Sequence, residues 1–417
     1  MSWSEQTLGE LMDEEGGLIQ TGPFGSQLKQ SEYQEFGIPV IMPTNIHDGQ
    51  IDQTNIARIS DIKSNQLSRH HVRAHTIVLP RRGEISKRAY IRPEQEGWLC
   101  GTGCLKIEPQ GIKIHPRFLY YFMDTPNAID WLLKNAVGST MLNLSAKILN
   151  RFPVKYPEIE EQKHIASILS AYDDLIENNR RRIALLEESA RLLYREWFVH
   201  LRFPGHETTK IKDGVPEGWS KKSVSDFAVI QRGRSYTSKE LSEDEGVPFV
   251  TLKSVNRNGG YRADGIKRLK GDVKPQHCIK SGEIVIAVTD MTRDALIVAR
   301  PAMIMLDADE VATFSMDLVK ASPRGDYSKE WLYHYFLHSD FPQNVKERAN
   351  GTNVLHLKPK YIEEWMSLIP SSNLRGRYTS LVKPILSQTM SLMRQNEYLA
   401  EARDHLLPRL MDGRVEL

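Results

Sequence analysis

Between Glu158 and about His200 the chain contains no glycine and no proline, and its apolar residues recur at alternating steps of four and three. The positions are Ile165, Leu169, Tyr172, Ile176, Asn179, Ile183, Leu186, Ala190, Leu193 and Trp197, of which nine of ten are apolar. That spacing predicts one long helix with a coiled-coil seam. About 40 residues at roughly 1.5 Å each make a rod of about 60 Å. On either side the apolar runs shorten to strand length between Gly, Pro and Asn, as in Gly37 to Pro43, Thr76 to Pro80, Gly246 to Val250 and Gly282 to Val288. These read as short strands in two mixed α/β domains.

The pattern is duplicated. Phe118 to Phe198 recurs without a gap at Trp331 to Met411, a shift of 331 − 118 = 213. Leu119-Tyr120 matches Leu332-Tyr333, Ala136-x-Gly138-Ser139 matches Ala349-x-Gly351-Thr352, and Leu142-x-Leu144 matches Leu355-x-Leu357. Lys147, Phe152, Pro157 and Leu186 fall on Lys360, Trp365, Pro370 and Leu399.

The shift also predicts a second, weaker seam at Tyr378, Val382, Ile385, Thr389, Leu392, Asn396, Leu399, Arg403, Leu406 and Leu410. Pro384 and Pro408 are expected to bend that helix or fray its end. If the rods pack antiparallel with residue i facing 575 − i, then Asn179 faces Asn396, Ile176 faces Leu399 and Ile183 faces Leu392. A buried Asn pair would set register at a cost in stability. Asparagines facing solvent or another protein are the alternative.

The expected fold is α+β: two similar globular domains separated by two long antiparallel coiled-coil helices, related by a pseudo-two-fold internal repeat. The expected boundaries are 1–156 for the first domain, 157–200 for the central helix, 201–216 for an exposed linker, 217–369 for the second domain and 370–417 for the C-terminal helix. A duplicated chain whose copies each end in a long helix suggests a reader of a two-part target.

Composition narrows the possibilities. At 417 residues the chain exceeds one ordinary core. It has no apolar run of about 18 residues that would span a bilayer, so no membrane association is expected. The first residues lack the basic and apolar regions of a secretion signal. Three cysteines fit a reducing compartment, and the expected location is the cytoplasm. With 55 basic and 53 acidic side chains the net charge is only +2, so any nucleic-acid face must come from local asymmetry. One basic segment holds Arg81, Arg82, Lys87, Arg88 and Arg92 against Glu84. Another runs from Arg257 to Lys274. Such runs are more often solvated faces than phosphate sites.

The ordered set of motifs resembles the specificity subunits of type I restriction-modification systems. The residues that carry the likeness are Thr21-Gly22-Pro23-Phe24-Gly25-Ser26-Gln27-Leu28, Gly37-Ile38-Pro39-Val40, Glu160-Glu161-Gln162-Lys163-His164-Ile165-Ala166, Glu196-Trp197-Phe198, and Arg403-Asp404-x-Leu406-Leu407-Pro408-Arg409-Leu410-Met411-x-Gly413. The likeness covers essentially the whole chain. It departs in the second copy, where Gln231-Arg232-Gly233-Arg234-Ser235-Tyr236 replaces the Gly-Pro-Phe-Gly-Ser loop. The resemblance implies a non-catalytic, sequence-specific reader of double-stranded DNA with a bipartite, asymmetric target. It also implies two modification subunits that methylate adenine with S-adenosylmethionine, and restriction subunits, motor nucleases that use ATP and Mg. No cofactor is expected on this chain.

Candidate contacts follow from side-chain chemistry. The loop around Ser26 and Gln27, with Lys29, offers backbone N–H groups and charge to phosphate, although Gly and Pro also make plain surface turns. It is not a Walker A loop, lacking the Gly-Lys-Ser/Thr. Ser139-Thr140 and their copies Thr352-Asn353 form a repeated polar turn able to touch sugar-phosphate or to cap a helix. Base reading needs Arg or Lys for guanine and Asn or Gln for adenine. Candidates for DNA contact are Arg81, Arg82, Lys87, Arg88, Arg232, Arg234, Tyr236, Lys253 and Arg293.

No Asn/Asp-Pro-Pro-aromatic tetrapeptide of an adenine methyltransferase occurs, and Glu161-x-Lys163 sits where acidic residues suit a helix start. His71, His75, Cys100 and Cys104 have zinc-like spacing, but no Cys-x2-Cys is present and the second copy lacks equivalents. No catalytic residue and no metal site is expected. A protein-binding coiled-coil scaffold, or an enzyme such as a nuclease or fused methyltransferase, remains as the alternative.

Overall fold

The computed structural model describes residues 3–47, 49–138, 141–271, 273–292, 295–307, 309–351 and 354–413. They form two compact units, Met1–Asn178 with Asn396–Leu417, and Asn179–Gln395.

In the first unit, Ser4–Thr7 pairs antiparallel with Pro153–Tyr156, Ser4 lying opposite Tyr156. The main sheet is built from β1 (Leu18–Thr21), β2 (Ile77–Pro80), β3 (Ala89–Tyr90) and β4 (Cys104–Glu108) in the order β1-β4-β2-β3, every neighbour antiparallel. A smaller sheet places Ile38–Ile41 between Arg58–Ile59 and Leu99–Cys100. Successive strand side chains point to opposite faces. Ile77, Leu79, Leu105 and Ile107 therefore join Phe118, Leu119 and Phe152 in one core, while Val78 joins Ile41, Val72 and Cys100 in another. The sheet is covered on both sides, which is why the short run Ile77-Val78-Leu79 is wholly buried. Within buried β4, Lys106 pairs with Glu108 at 2.8 Å and donates to the His71 carbonyl at 2.6 Å.

The long central helix is α1 (Ile159–Tyr194), and its chain continues into a wider π turn at Arg195–Val199. At its start Gln162 is fully buried. Its Nε2 donates to the carbonyls of Pro157 at 2.9 Å and Lys113 at 2.8 Å, and its Oε1 accepts from the His115 N–H at 2.8 Å.

The second unit repeats the plan. Ser220–Ser223 pairs with Met366–Ile369, Ser220 opposite Ile369. Its main sheet holds β5 (Ala228–Arg232), β6 (Ile284–Ala287), β7 (Pro301–Met303) and β8 (Leu318–Pro323) in the order β5-β8-β6-β7. A five-stranded sheet, with Val247–Val250 at its centre, stands where the first unit has three strands. The core is rich in aromatic rings, among them Phe227, Trp331, Tyr335, Phe336 and Phe341.

The C-terminal helix is α2 (Ser372–Met411). The 213-residue shift carries Ala146–Asn150 onto Pro359–Glu363, Pro153–Tyr156 onto Met366–Ile369, and the first residue of α1 onto the first of α2 (372 − 159 = 213). It also carries Gln162 onto Arg375 (162 + 213 = 375). Arg375 donates to the Pro370 carbonyl and to Asp326, both at 2.7 Å, positions matching Pro157 and Lys113. The clamp at the helix start is kept although its residue type is not.

No seam position on either helix is exposed. On α1, Ile165, Leu169, Ile176, Asn179 and Ala190 are buried, as is Trp197 in the π turn, while Tyr172, Ile183, Leu186 and Leu193 are half-buried. On α2, Tyr378, Val382, Thr389, Leu392 and Leu410 are buried, and Ile385, Asn396, Leu399, Arg403 and Leu406 are half-buried. Within the first unit the early residues of α1, Ile165 and Leu169, share a core with the late residues of α2, Leu407 and Leu410, so the helices run antiparallel there. The polar seam residue Arg403 pairs with Asp173 at 2.6 Å, and Asp173 also accepts from the Tyr121 hydroxyl. Within the second unit Ala190 and Tyr194 meet Leu374, Tyr378 and Val382 in the same sense. Asn179 and Asn396 belong to different units.

Helix α2 runs unbroken through Pro384 and Pro408. The N–H that Pro384 lacks would have bonded the Ser380 carbonyl, and both residues are exposed, so water can supply the donor. The stretch 201–216 is mostly exposed and carries a short hairpin. Ile211–Lys212 and Val215–Pro216 form a hairpin over Asp213 (φ 53°) and Gly214 (φ 77°), the positive φ pair of a type I′ turn. Phe203 is buried, with its ring 5.6 Å from that of Trp219. Among the described residues no helix is long and apolar enough to cross a membrane.

Candidate nucleic-acid interface

In the first unit three segments meet at one end of the main sheet. Where the chain leaves β1, the Gly22 N–H donates to the Cys104 carbonyl at 2.9 Å. A Cβ on Gly22 would stand 2.0 Å from the Gly101 oxygen, so only glycine fits. The following turn is tied by Gln27, whose backbone N–H donates to the Phe24 carbonyl at 2.8 Å and whose Oε1 accepts from the Phe24 N–H at 3.1 Å. Buried His70 supports the same strand end, its Nδ1 bonding the Thr21 carbonyl at 3.0 Å and its Nε2 accepting from Arg69 at 3.0 Å. Burial, aided by the Arg69 charge, lowers the His70 pKa to about 4.

Where the chain leaves β2, Arg81 is held through its backbone on both sides. Its N–H donates to Gly103 at 2.6 Å, and its carbonyl accepts from Leu144 at 2.8 Å. Its Nε donates to the Asn143 side-chain oxygen at 3.2 Å, and its guanidinium lies 5.6 Å from the Phe24 ring centroid. The third segment is the turn closed by reciprocal bonds between Val137 and Asn143 at 3.0 and 2.9 Å, with Gly138 at φ 121°. Phe24, Val137 and Met141 present 54%, 68% and 60% of their surface to solvent, a concentration of exposed apolar side chains beside a cation. Ser26, Lys29 and Arg82 are exposed on the same segments.

The second unit builds the same end of its sheet. Gly233 takes the place of Gly22: its N–H donates to Leu318 at 3.2 Å, and a Cβ there would stand 2.2 Å from the Ser315 oxygen. The Leu357 N–H donates to the Val288 carbonyl at 2.8 Å, as Leu144 does to Arg81. Asn350 and His356 exchange bonds at 3.0 and 2.9 Å over Gly351, repeating Val137, Asn143 and Gly138. Val288 therefore occupies the backbone position of Arg81, and it is buried. The exposed side chains here are Arg232 and Met291, with Lys253 on a nearby 3-10 turn. Tyr236 is half-buried, its ring 4.8 Å from that of Phe249.

The candidate residues thus separate. Ser26, Gln27, Lys29, Arg81 and Arg82 converge in the first unit, and Arg232, Arg234 and Tyr236 stand at the matching place in the second. Ser139, Thr140, Arg293, Thr352 and Asn353 lie outside the described residues. Arg88 is a correction. It is buried, its Nη1 donates to the Ser86 and Met123 carbonyls, and its Nη2 pairs with Asp124, so its charge is balanced inside the unit. Lys87 pairs with Glu84, and Arg234 with Glu240 at 2.5 Å. The second copy's opening loop is also closer to the first than its sequence suggested, because the one glycine the backbone requires is kept.

Sequence reasoning missed exposed Phe24, Val137 and Met141 and half-buried Asn143 in the first unit, and exposed Met291 in the second. A hydrophobic run offers no sign of which members remain outside. The zinc-like set is used otherwise. His71 bonds the Ser64 hydroxyl at 2.8 Å, His75 bonds the Tyr90 hydroxyl at 2.9 Å, and burial pushes the Cys100 thiol up to about 12. Among the described residues no group of three or more His, Cys, Asp or Glu is placed to hold a metal.

Comparison with known proteins shows what the chain is similar to. A model of the type I restriction modification DNA specificity domain matches residues 3–188, the span that holds the whole first reading end and most of α1. Over that span, a little under half of its length, the chain is similar to the type I specificity subunits. It is 27% identical over 358 residues to the type I restriction enzyme MjaIX specificity subunit of Methanocaldococcus jannaschii, covering 82% of this chain and 78% of that one. It is 19% identical over 392 residues to the HindI specificity subunit of Haemophilus influenzae, covering 78% and 83%. The crystal structure of a type I S subunit from M. genitalium aligns with 98% of this chain and 96% of its own, with a TM-score of 0.58 and 15% identity, and so shares its fold.

Proposed function

We propose that this chain is the DNA target-specificity subunit of a type I restriction-modification complex, in which each unit reads one half of a split, asymmetric sequence. One observation carries the reading. Both units build the same loop framework at the same end of the same sheet, yet place different side chains on it, Arg81 beside Phe24 in one and Val288 beside Met291 in the other. A common scaffold with different tips suits two different half-sites.

In this reading the two long helices set the distance between half-sites and hold two modification subunits, with restriction subunits joining for cleavage. The chemistry belongs to those partners: S-adenosylmethionine to the modification subunit, ATP and Mg to the restriction subunit. This chain contributes recognition without catalysis.

Exchange of residues 1–156 for those of a relative, followed by mapping of methylated sites in the assembled complex, tests the proposal. One half of the target is expected to change while the other half and the spacer stay. If both halves change together, or the wild-type complex methylates without sequence preference, independent reading is wrong.

A further inference from the structure

We infer that Arg81 is the side chain with which the first unit reads a guanine, an inference that rests on the DNA-reading role above. Its backbone is held at both its N–H and its carbonyl, and its Nε is tied to Asn143 at 3.2 Å. The guanidinium carbon lies over the Phe24 ring, 5.6 Å from its centroid. Among the described residues neither Nη has an acceptor, and the tethers at the backbone and at Nε set the direction of the fork. A planar pair of N–H donors fits the O6 and N7 acceptors of guanine in the major groove.

Charge separates Arg81 from its neighbours. Arg88 and Lys87 each face a carboxylate, Asp124 and Glu84 respectively, so their charges are balanced within the unit. Arg81 is tied by a neutral amide, and among the described residues no carboxylate pairs with it. Exposed Phe24 and Met141 flank the fork with apolar surface. That surface suits a thymine methyl or base edge and displaces water from the bidentate bonds. Exposed Arg82 carries no such tether among the described residues, which suits a phosphate contact that fixes register without reading sequence. In the second unit the buried Val288 stands at the Arg81 position, so the guanine contact belongs to one half-site alone.

The test uses this chain assembled with its modification subunits. Wild type, Arg81→Lys, Arg81→Ala and Asn143→Ala are measured against duplexes in which each base pair of the target is replaced in turn. Arg81→Lys keeps the charge but loses the fork, and is expected to cut discrimination at one guanine by about 5- to 150-fold, leaving the other half-site unchanged. Arg81→Ala does the same, and Asn143→Ala lowers discrimination at the same guanine without altering any charge. The inference is overturned if Arg81→Lys retains full discrimination. It is also overturned if Arg81→Ala weakens all sequences equally while the salt slope falls by about one, the signature of a phosphate contact. A wild-type complex without sequence preference would overturn the DNA-reading role as well.

Discussion

Histidine 334 makes the second unit acid-sensitive by a calculable amount. Its ring is 2% exposed and is surrounded by Tyr333, His338 and Tyr378 at centroid distances of 5.5, 5.3 and 5.8 Å. Neither ring nitrogen has a hydrogen-bond partner among the described residues. Burial, with a smaller contribution from His338, lowers its pKa from 6.5 to about 3. A depressed basic pKa means that the unfolded chain binds the proton more readily. The contribution is therefore intact above about pH 7 and is lost as pH falls below 6.5 toward 3. At pH 5 the unfolded side chain is almost fully protonated and the folded one almost wholly neutral, which amounts to about 2 kcal/mol of lost stability from this residue.

His334→Phe removes the titration and the unsatisfied polar atoms while keeping an aromatic ring in the cluster. Urea unfolding of wild type and variant at pH 7 and pH 5 supplies the readout. The variant's stability relative to wild type is expected to rise by about 2 kcal/mol between the two pH values. His338, depressed to about 4 by burial and the Arg191 charge, is present in both proteins and cancels in the difference. If the relative stability of the two proteins moves by less than about 0.5 kcal/mol over that interval, His334 is not held neutral by burial and the reasoning fails.

Two further perturbations address the helices and the reading loops. Asp173→Asn removes the charge opposed to Arg403 and weakens the acceptor for Tyr121; because Asp173 and Arg403 are 16% and 22% exposed, the expected cost is roughly 2–4 kcal/mol. It should appear as faster amide hydrogen exchange in residues 396–411, and unchanged exchange there would refute the pairing. Gly22→Ala and Gly233→Ala would each press a Cβ onto a backbone oxygen, at 2.0 and 2.2 Å, and displace one reading loop. Each is expected to weaken recognition of only its own half-site, by about 10-fold or more in a binding assay with half-site variants; equal loss at both halves would contradict separate loops.

The seams, the repeat and the two-unit plan were legible in the sequence because they follow from periodicity, and burial on a helix repeats with the helix turn. The 213-residue shift predicts the starts of Pro359–Glu363, Met366–Ile369 and α2 to the residue, and with them the clamp in which Arg375 stands for Gln162. What only the tertiary structure decided concerns the fate of individual side chains. Arg81 and Arg88 are seven residues apart in one basic run, yet Arg81 is half-buried against an amide while Arg88 is buried against Asp124. The partners that make this difference, Asn143 and Asp124, are remote in sequence and arrive only through the turn at Val137 and the helix ending near Phe122. Pairing of Gly22 with Gly233 across dissimilar loops likewise depends on a carbonyl from another strand pressing on each. Charge, aromaticity and periodicity are local properties that a sequence displays. Whether a charge is balanced, or an aromatic ring left bare, is settled by distant residues that folding brings alongside.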